Sequence, residues 1–319
     1  MKILITEARD FSQTAIENLE RAGCEVVARQ YDYEELKNNI HDFEGIIVRL
    51  GIKVDKLLIN SAPRLKFIAT PTTGIDHIDL LAAKERRIKI ISLQGESMFL
   101  KTITPTAELS ISLMLNLMRH ILPASQAVLA GKWERDRWIG RSMRGKTVGI
   151  IGMGRLGKMT AKLTKNFGCQ IVYYDPYVKR TKYTKAETLA ELAKTADIVS
   201  IHVPLNGETA GLIGAEYFRQ AKMGQLMVNT SRGAVVREQD LIKALEAGRI
   251  GGAGLDVITD EMNGEISKCP IVKYAKKHRN VIITPHIGGA TGEEMRKVEE
   301  FIVEKIIRRQ EEAPVVKIK

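Results

Sequence analysis

Residues 146–162 read KTVGIIGMGRLGKMTAK, an apolar β-branched run that breaks on glycine and passes directly into a helical pattern. Gly152, Gly154 and Gly157 give the spacing G-x-G-x-x-G. Each glycine meets a separate need: the first permits a tight turn, the second lets backbone approach a pyrophosphate, and the third lets helix and strand pack closely. The phosphates then sit at the helix N-terminus. Glycine spacing alone is common in turns, so its context matters. The next apolar run, CQIVYYD (169–175), ends on Asp175, 18 positions after Gly157. A carboxylate there accepts hydrogen bonds from an adenosine ribose and repels a 2′-phosphate. The pattern predicts NAD as cofactor, held around Gly152, Gly154, Arg155, Leu156, Gly157, Asp175 and Pro176. Lys179 and Arg180 keep NADP open as the lesser choice.

Working outward, strand candidates follow at 170–174, 197–203, 225–229, 251–255 and 280–283, which with the first run make six strands after Gly145. Six strands complete a dinucleotide-binding sheet. Upstream, short β-branched runs at 2–6, 25–28, 45–50, 66–69 and 88–92 alternate with helical patterns, the mark of βαβ units and a second parallel sheet. Between the two series, Thr104 to about Ala130 reads as one long helix, with Thr104 as N-cap and Pro105 at its first position. Its residues are apolar nearly all round, which predicts a homodimer packed through it. A last amphipathic pattern at 290–309 puts Val298, Phe301, Ile302 and Ile306 on one stripe, so this helix packs on a core.

A chain of 319 residues with 44% hydrophobic and 27% charged residues suits two folded domains. Met1 leads straight into KILIT with no leader pattern, and no apolar run is long enough for a membrane helix, so a cytoplasmic protein is expected. Cys24, Cys169 and Cys269 lie far apart with no metal or disulfide spacing. The net charge of +11 is spread along the chain; KYAKKHR (273–279) is its densest patch and no nucleic-acid motif surrounds it. The charge reads as solvated surface that steers a small anionic substrate, with no nucleic-acid partner.

Three segments after the glycine motif carry reactive side chains. VNTSRGAVV (228–236) holds Arg232, AGLDVITDE (253–261) holds Asp256 and Glu261, and ITPHIGGATGEE (283–294) holds His286. Each follows the end of a predicted strand, and in an open parallel sheet those ends face one crevice. The set suits hydride transfer. Oxidation of a 2-hydroxy acid needs a base for the hydroxyl proton and a fixed cation for the carboxylate and developing oxyanion. Histidine is the residue type that titrates near neutrality, a carboxylate beside its other nitrogen fixes the ring, and arginine grips a carboxylate through two bonds. His286, Glu261 and Arg232 are the expected base, partner and clamp.

The segments GMGRLG, HVPLNGETAGLI, NTSRGAVV, GLDV and TPHIGGAT together resemble the D-isomer-specific 2-hydroxyacid dehydrogenase family over nearly the whole chain. The resemblance implies an α/β fold of two doubly wound parallel-sheet lobes, a Rossmann NAD domain (103–286) inserted into a flavodoxin-like substrate domain (1–102 plus 287–319). It also implies Arg232, Glu261 and His286 as the catalytic set. Substrate contacts fall to Thr73 and Gly74 in PTTGIDHID (71–79) and to Arg49 after GIIVR (45–49). Further cofactor contacts fall on Thr106, His202, Pro204, Thr209, Thr230, Ser231, Asp256, Gly288 and Gly289. The implied substrate is a small D-2-hydroxy or 2-oxo acid of the glyoxylate, hydroxypyruvate, phosphoglycerate or lactate type. Dehydrogenase-like corepressors share the motifs, so an NAD(H)-sensing binding protein without turnover is the alternative. Relatives place proline after the catalytic glutamate where this chain has Met262, which puts the shape of the Glu261 loop in question.

Overall fold

The computed structural model describes residues 1–261 and 265–311. Two compact units emerge, one from Met1–Ile103 with the C-terminal helix, the other from Thr104–Gly289.

In the first unit, β1 (Lys2–Ile5), β2 (Glu25–Ala28), β3 (Gly45–Ile47), β4 (Phe67–Ala69) and β5 (Lys89–Ile91) form a parallel sheet of order β2-β1-β3-β4-β5. That is the flavodoxin-like winding. Its strands are covered on both faces, which is why they read as apolar runs and not as alternating ones. Leu4, Ile46 and Ile68 pack to one side; Ile3, Ile5 and Ile47 pack to the other. The helix Gly292–Glu311 closes that second side with buried Ile302, Val303 and Ile306, as its stripe implied, and Phe301 stacks on Phe99 at 3.9 Å between ring centres.

The second unit holds β6 (Thr147–Ile151), β7 (Gln170–Tyr174), β8 (Thr184–Lys185), β9 (Ile198–Ile201), β10 (Gln225–Asn229), β11 (Ile250–Leu255) and β12 (Val281–Ile283). Their order, β12-β11-β10-β9-β6-β7-β8, is the doubly wound dinucleotide sheet extended by one strand. Among the described residues the sheet has seven strands, not six. β8 is only two residues long on the sheet edge and pairs through Thr184 and Lys185, so it carries no apolar signal. The order reverses between β7 and β9 around β6, and the crevice at such a switch point opens beyond the strands' C-terminal ends.

The long helix expected over 104–130 is two, Pro105–Arg119 and Ile121–Leu129, broken by His120 at φ 54°. Pro123 accounts for the break: it lacks an amide hydrogen, and its ring would strike the carbonyl of Arg119 in a continuous helix. The first helix buries Ile111, Leu113, Met114, Leu117 and Met118 against the sheet. The second buries only Pro123. Among the described residues no helix is long and apolar enough to cross a membrane.

Candidate active site

The glycine turn joins β6 to the helix Arg155–Asn166. Gly152 has φ 90°, and a Cβ on it would stand 2.7 Å from the His202 carbonyl oxygen. A Cβ on Gly157 would stand 2.0 Å from the Gly152 carbonyl oxygen, so the helix can lie this close to the strand only on glycine. Gly154, the residue at the helix start, is different: a Cβ there would meet nothing within 4 Å. Space opens above the middle glycine, which has no side chain of its own to cap the helix that begins there. Those are the two features a pyrophosphate requires, so the turn fits a dinucleotide. Asp175, nearly buried at the end of β7, accepts from the amides of Met153 (2.8 Å), Tyr177 (2.9 Å) and Val178 (3.0 Å). It ties the glycine turn to its own loop.

On the other side of β6, the chain leaves β9 through His202 and Pro204. Burial pushes the His202 imidazole down to about 4, so the ring is neutral at pH 7. Its Nε2 shares a 2.9 Å hydrogen bond with the Ser200 hydroxyl, and its buried Nδ1 has no partner among the described residues. Thr209 closes the same loop by donating to the Pro204 carbonyl at 2.5 Å.

The reactive side chains come from three neighbouring strands. β10, β11 and β12 are adjacent and parallel, and Arg232, Glu261 and His286 follow their C-terminal ends in that order. His286 Nδ1 and Glu261 Oε1 lie 2.5 Å apart, each side chain about a quarter exposed. With Nδ1 donating to the carboxylate, Nε2 carries the free lone pair. His286 has a left-handed backbone (φ 53°), which costs a residue with a Cβ of order 1 kcal/mol or more. Asp256 holds it there. The Asp256 carbonyl accepts from the His286 amide at 2.9 Å, and its carboxylate accepts from the Thr284 hydroxyl (2.6 Å) and the amides of Ile287 (2.8 Å) and Gly288 (2.7 Å). Burial pushes the Asp256 carboxyl up while these bonds pull it down. The carboxylate expected to face the cofactor thus anchors the histidine turn. Gly288 is needed for it, since a Cβ there would lie 2.9 Å from Asp256 Oδ2.

Arg232 rests on a turn organised by Asn229. Asn229 Oδ1 accepts from the Ser231 amide and hydroxyl, its Nδ2 donates to the Arg232 carbonyl, and Arg232 Nη1 donates to the Ser231 carbonyl at 2.8 Å. Thr230 is buried and shares a 2.8 Å bond with Ser110. Gly233 marks another close approach: a Cβ there would stand 2.1 Å from the carbonyl carbon of Ile258. The Arg232 turn therefore lies directly against the turn that leads to Glu261. Met262 lies outside the described residues.

Residues 111–288 match the family model described as "D-isomer specific 2-hydroxyacid dehydrogenase, NAD binding domain". The chain belongs to the D-isomer-specific 2-hydroxyacid dehydrogenases. It is 37% identical to the D-3-phosphoglycerate dehydrogenase of Archaeoglobus fulgidus over 99% of this chain, yet covers 58% of that relative. The chain thus spans a little over half the length of the phosphoglycerate dehydrogenases it matches. The hydroxypyruvate reductase of Thermotoga maritima is 35% identical, with 91% of this chain and 92% of the relative covered. The structure of D-lactate dehydrogenase from Aquifex aeolicus, solved with NAD and lactic acid, superposes with a TM-score of 0.82 at 27% identity, covering 98% of this chain and 96% of that one.

The residues that the resemblance assigns to substrate lie in the first unit. Thr73 is exposed on a loop held by the Thr72 hydroxyl, which donates to the Gly74 carbonyl at 2.6 Å. Arg49 lies two residues beyond β3, and its guanidinium pairs with the carboxylate of Glu299, donates to the Arg9 carbonyl and covers the Phe11 ring. Glu299 is buried, also accepts from the Ser12 amide, and is pushed up by burial against the pull of Ser12 and Arg49. Sequence reasoning missed Glu299 and Asn229. The signal for Glu299 was a charge inside the apolar stripe of the last helix; for Asn229, an amide opening the NTSRG turn.

Proposed function

We propose that this chain is an NAD-dependent oxidoreductase acting between small D-2-hydroxy acids and their 2-oxo acids. One observation carries the reading: the His286–Glu261 pair stands beside the Arg232 turn, on the same sheet edge as a glycine turn with open space over Gly154. In the oxidative direction His286 Nε2 accepts the hydroxyl proton, Glu261 keeps the ring oriented through Nδ1, and Arg232 binds the carboxylate and the charge that develops on oxygen. NAD, when bound, supplies the acceptor for the hydride leaving C2. The glycine turn and the first amides of the helix Arg155–Asn166 hold its pyrophosphate, and Asp175 its ribose. In the reductive direction His286 returns the proton to the substrate oxygen.

The relatives support this substrate class, since their names span phosphoglycerate, hydroxypyruvate and lactate chemistry. The test is NADH consumption with glyoxylate, hydroxypyruvate, pyruvate and phosphohydroxypyruvate, followed by chirality of the product for the last three, since glyoxylate gives achiral glycolate. Reduction of at least one to the D-hydroxy acid is expected. NADH binding without turnover of any of them would overturn the reading in favour of a sensor.

We also propose a homodimer. Ile121, Leu122, Val128 and Leu129 on the second helix, with Trp133 just beyond, expose apolar surface, Leu129 and Trp133 to 86% each. Light scattering should give twice the chain mass, and Leu129→Asp should give monomers. A monomeric wild type at micromolar concentration would refute the dimer.

A further inference from the structure

Two exposed side chains outside the catalytic set join hands at the cofactor end of the sheet. Tyr177 lies just beyond β7 and Glu208 in the loop beyond β9, and the Tyr177 hydroxyl donates to the Glu208 carboxylate. β6 runs between β7 and β9, so the two loops that meet in this bond leave strands two spacings, roughly 10 Å, apart, on either side of the strand that ends in the glycine turn. Tyr177 is 75% exposed, so packing does not hold its ring in place.

Both ends of the crossing are fixed by side-chain turns. Asp175 Oδ1 accepts from the amides of Tyr177 and Val178, and Asn206 Oδ1 accepts from the amides of Glu208 (2.9 Å) and Thr209 (3.1 Å). The first of these ties the crossing to the ribose carboxylate. A carboxylate offers about four acceptor directions, and Asp175 already fills three with amides. A ribose with two hydroxyls can take a second place on Asp175 only by displacing an amide, including the one that fixes Tyr177.

We propose that the Tyr177–Glu208 bond is a strap across the adenosine end of the dinucleotide crevice, and that it sets how fast NAD(H) enters and leaves. The inference rests on the cofactor reading above. Neither residue touches the reacting atoms; both act as positioning residues by gating the path to Asp175.

A gate differs from a contact in kinetics. Opening must precede both entry and exit, so its loss speeds both and leaves affinity nearly unchanged, whereas loss of a ligand contact speeds exit alone. The experiment is stopped-flow NADH binding, read by energy transfer from protein to cofactor, with wild type, Tyr177→Phe, Glu208→Ala and the double variant. An ordinary hydrogen bond corresponds to about a fivefold effect. Tyr177→Phe is expected to raise association and dissociation rates each by about three- to fivefold and to move Kd by less than about twofold. Glu208→Ala should match it, and the double variant should add nothing further. Unchanged rates in Tyr177→Phe, or a faster dissociation alone, would overturn the strap. Absence of NADH binding in the wild type would overturn the strap and the cofactor reading together; normal binding with equal rates in all four proteins would overturn the strap only.

Discussion

Gly233→Ala tests whether the two halves of the proposed catalytic set depend on one close backbone approach. The added carbon would stand 2.1 Å from the Ile258 carbonyl carbon, where ordinary contact begins at 3.4 Å, so one backbone must retreat by about 1.3 Å. The neighbouring atoms give no relief, since Ile258 O and Thr259 N would lie at 2.2 and 2.6 Å and all three are main chain. Gly233 is not in the left-handed region, so the cost is one of space alone. Overpacking of this kind costs about 1–3 kcal/mol of stability. The catalytic cost is of similar size, because displacement of a reacting group by about 1 Å costs on the order of 100-fold in rate. The assays are steady-state reduction of the preferred 2-oxo acid, NADH titration by fluorescence, and thermal unfolding. The expected outcome is kcat/KM lower by about 100-fold, NADH affinity within about twofold because the glycine turn is untouched, and a melting point a few degrees lower. A variant with wild-type kcat/KM and unchanged melting would refute the argument that the Arg232 and Glu261 turns must touch.

Asp256→Asn replaces one acceptor oxygen with a donor facing the amide and hydroxyl hydrogens of the His286 turn; stability should fall by about 1–3 kcal/mol and turnover with it, as checked by chemical denaturation and kcat. Glu299→Ala leaves the Arg49 guanidinium without its buried carboxylate and should cost about 3–5 kcal/mol, while Arg49→Met combined with Glu299→Leu should recover most of that loss in urea unfolding. The neutral His202 ring makes stability depend on pH: its folded value of about 4 lies below the 6.5 of the unfolded chain, which binds the extra proton between those limits. This contribution is therefore whole above pH 6.5 and is lost as pH falls towards 4, by about 2 kcal/mol at pH 5. Unfolding midpoints measured from pH 7 to 5 should fall less steeply for His202→Gln.

The parts of this molecule that are written locally were legible without coordinates. The glycine turn is one such part, since strand, turn and helix lie within seventeen consecutive residues and each glycine answers a steric demand from its immediate neighbours. The ends of β10, β11 and β12 were equally plain, because buried parallel strands appear as apolar runs and reactive residues follow them. What escaped was decided by partners distant in sequence or by signals outweighed by periodicity. The resemblance points Asp256 at the cofactor; only the position of Thr284, Ile287 and Gly288 shows that its carboxylate holds the histidine turn. Arg49 finds Glu299 across 250 positions. β8 is too short to carry a pattern. The break at His120 was readable in principle from Pro123, but the apolar spacing on both sides concealed it.

The most direct measurement is deuteride transfer from 4-deuterated NADH to a 2-oxo acid by wild type and by His286→Gln, with NADH affinity determined alongside. The expected result is a D-2-hydroxy acid carrying deuterium at C2 from the wild type, and a rate lower by about 10³-fold in the variant at unchanged NADH affinity. Equal rates in the two proteins would contradict the account.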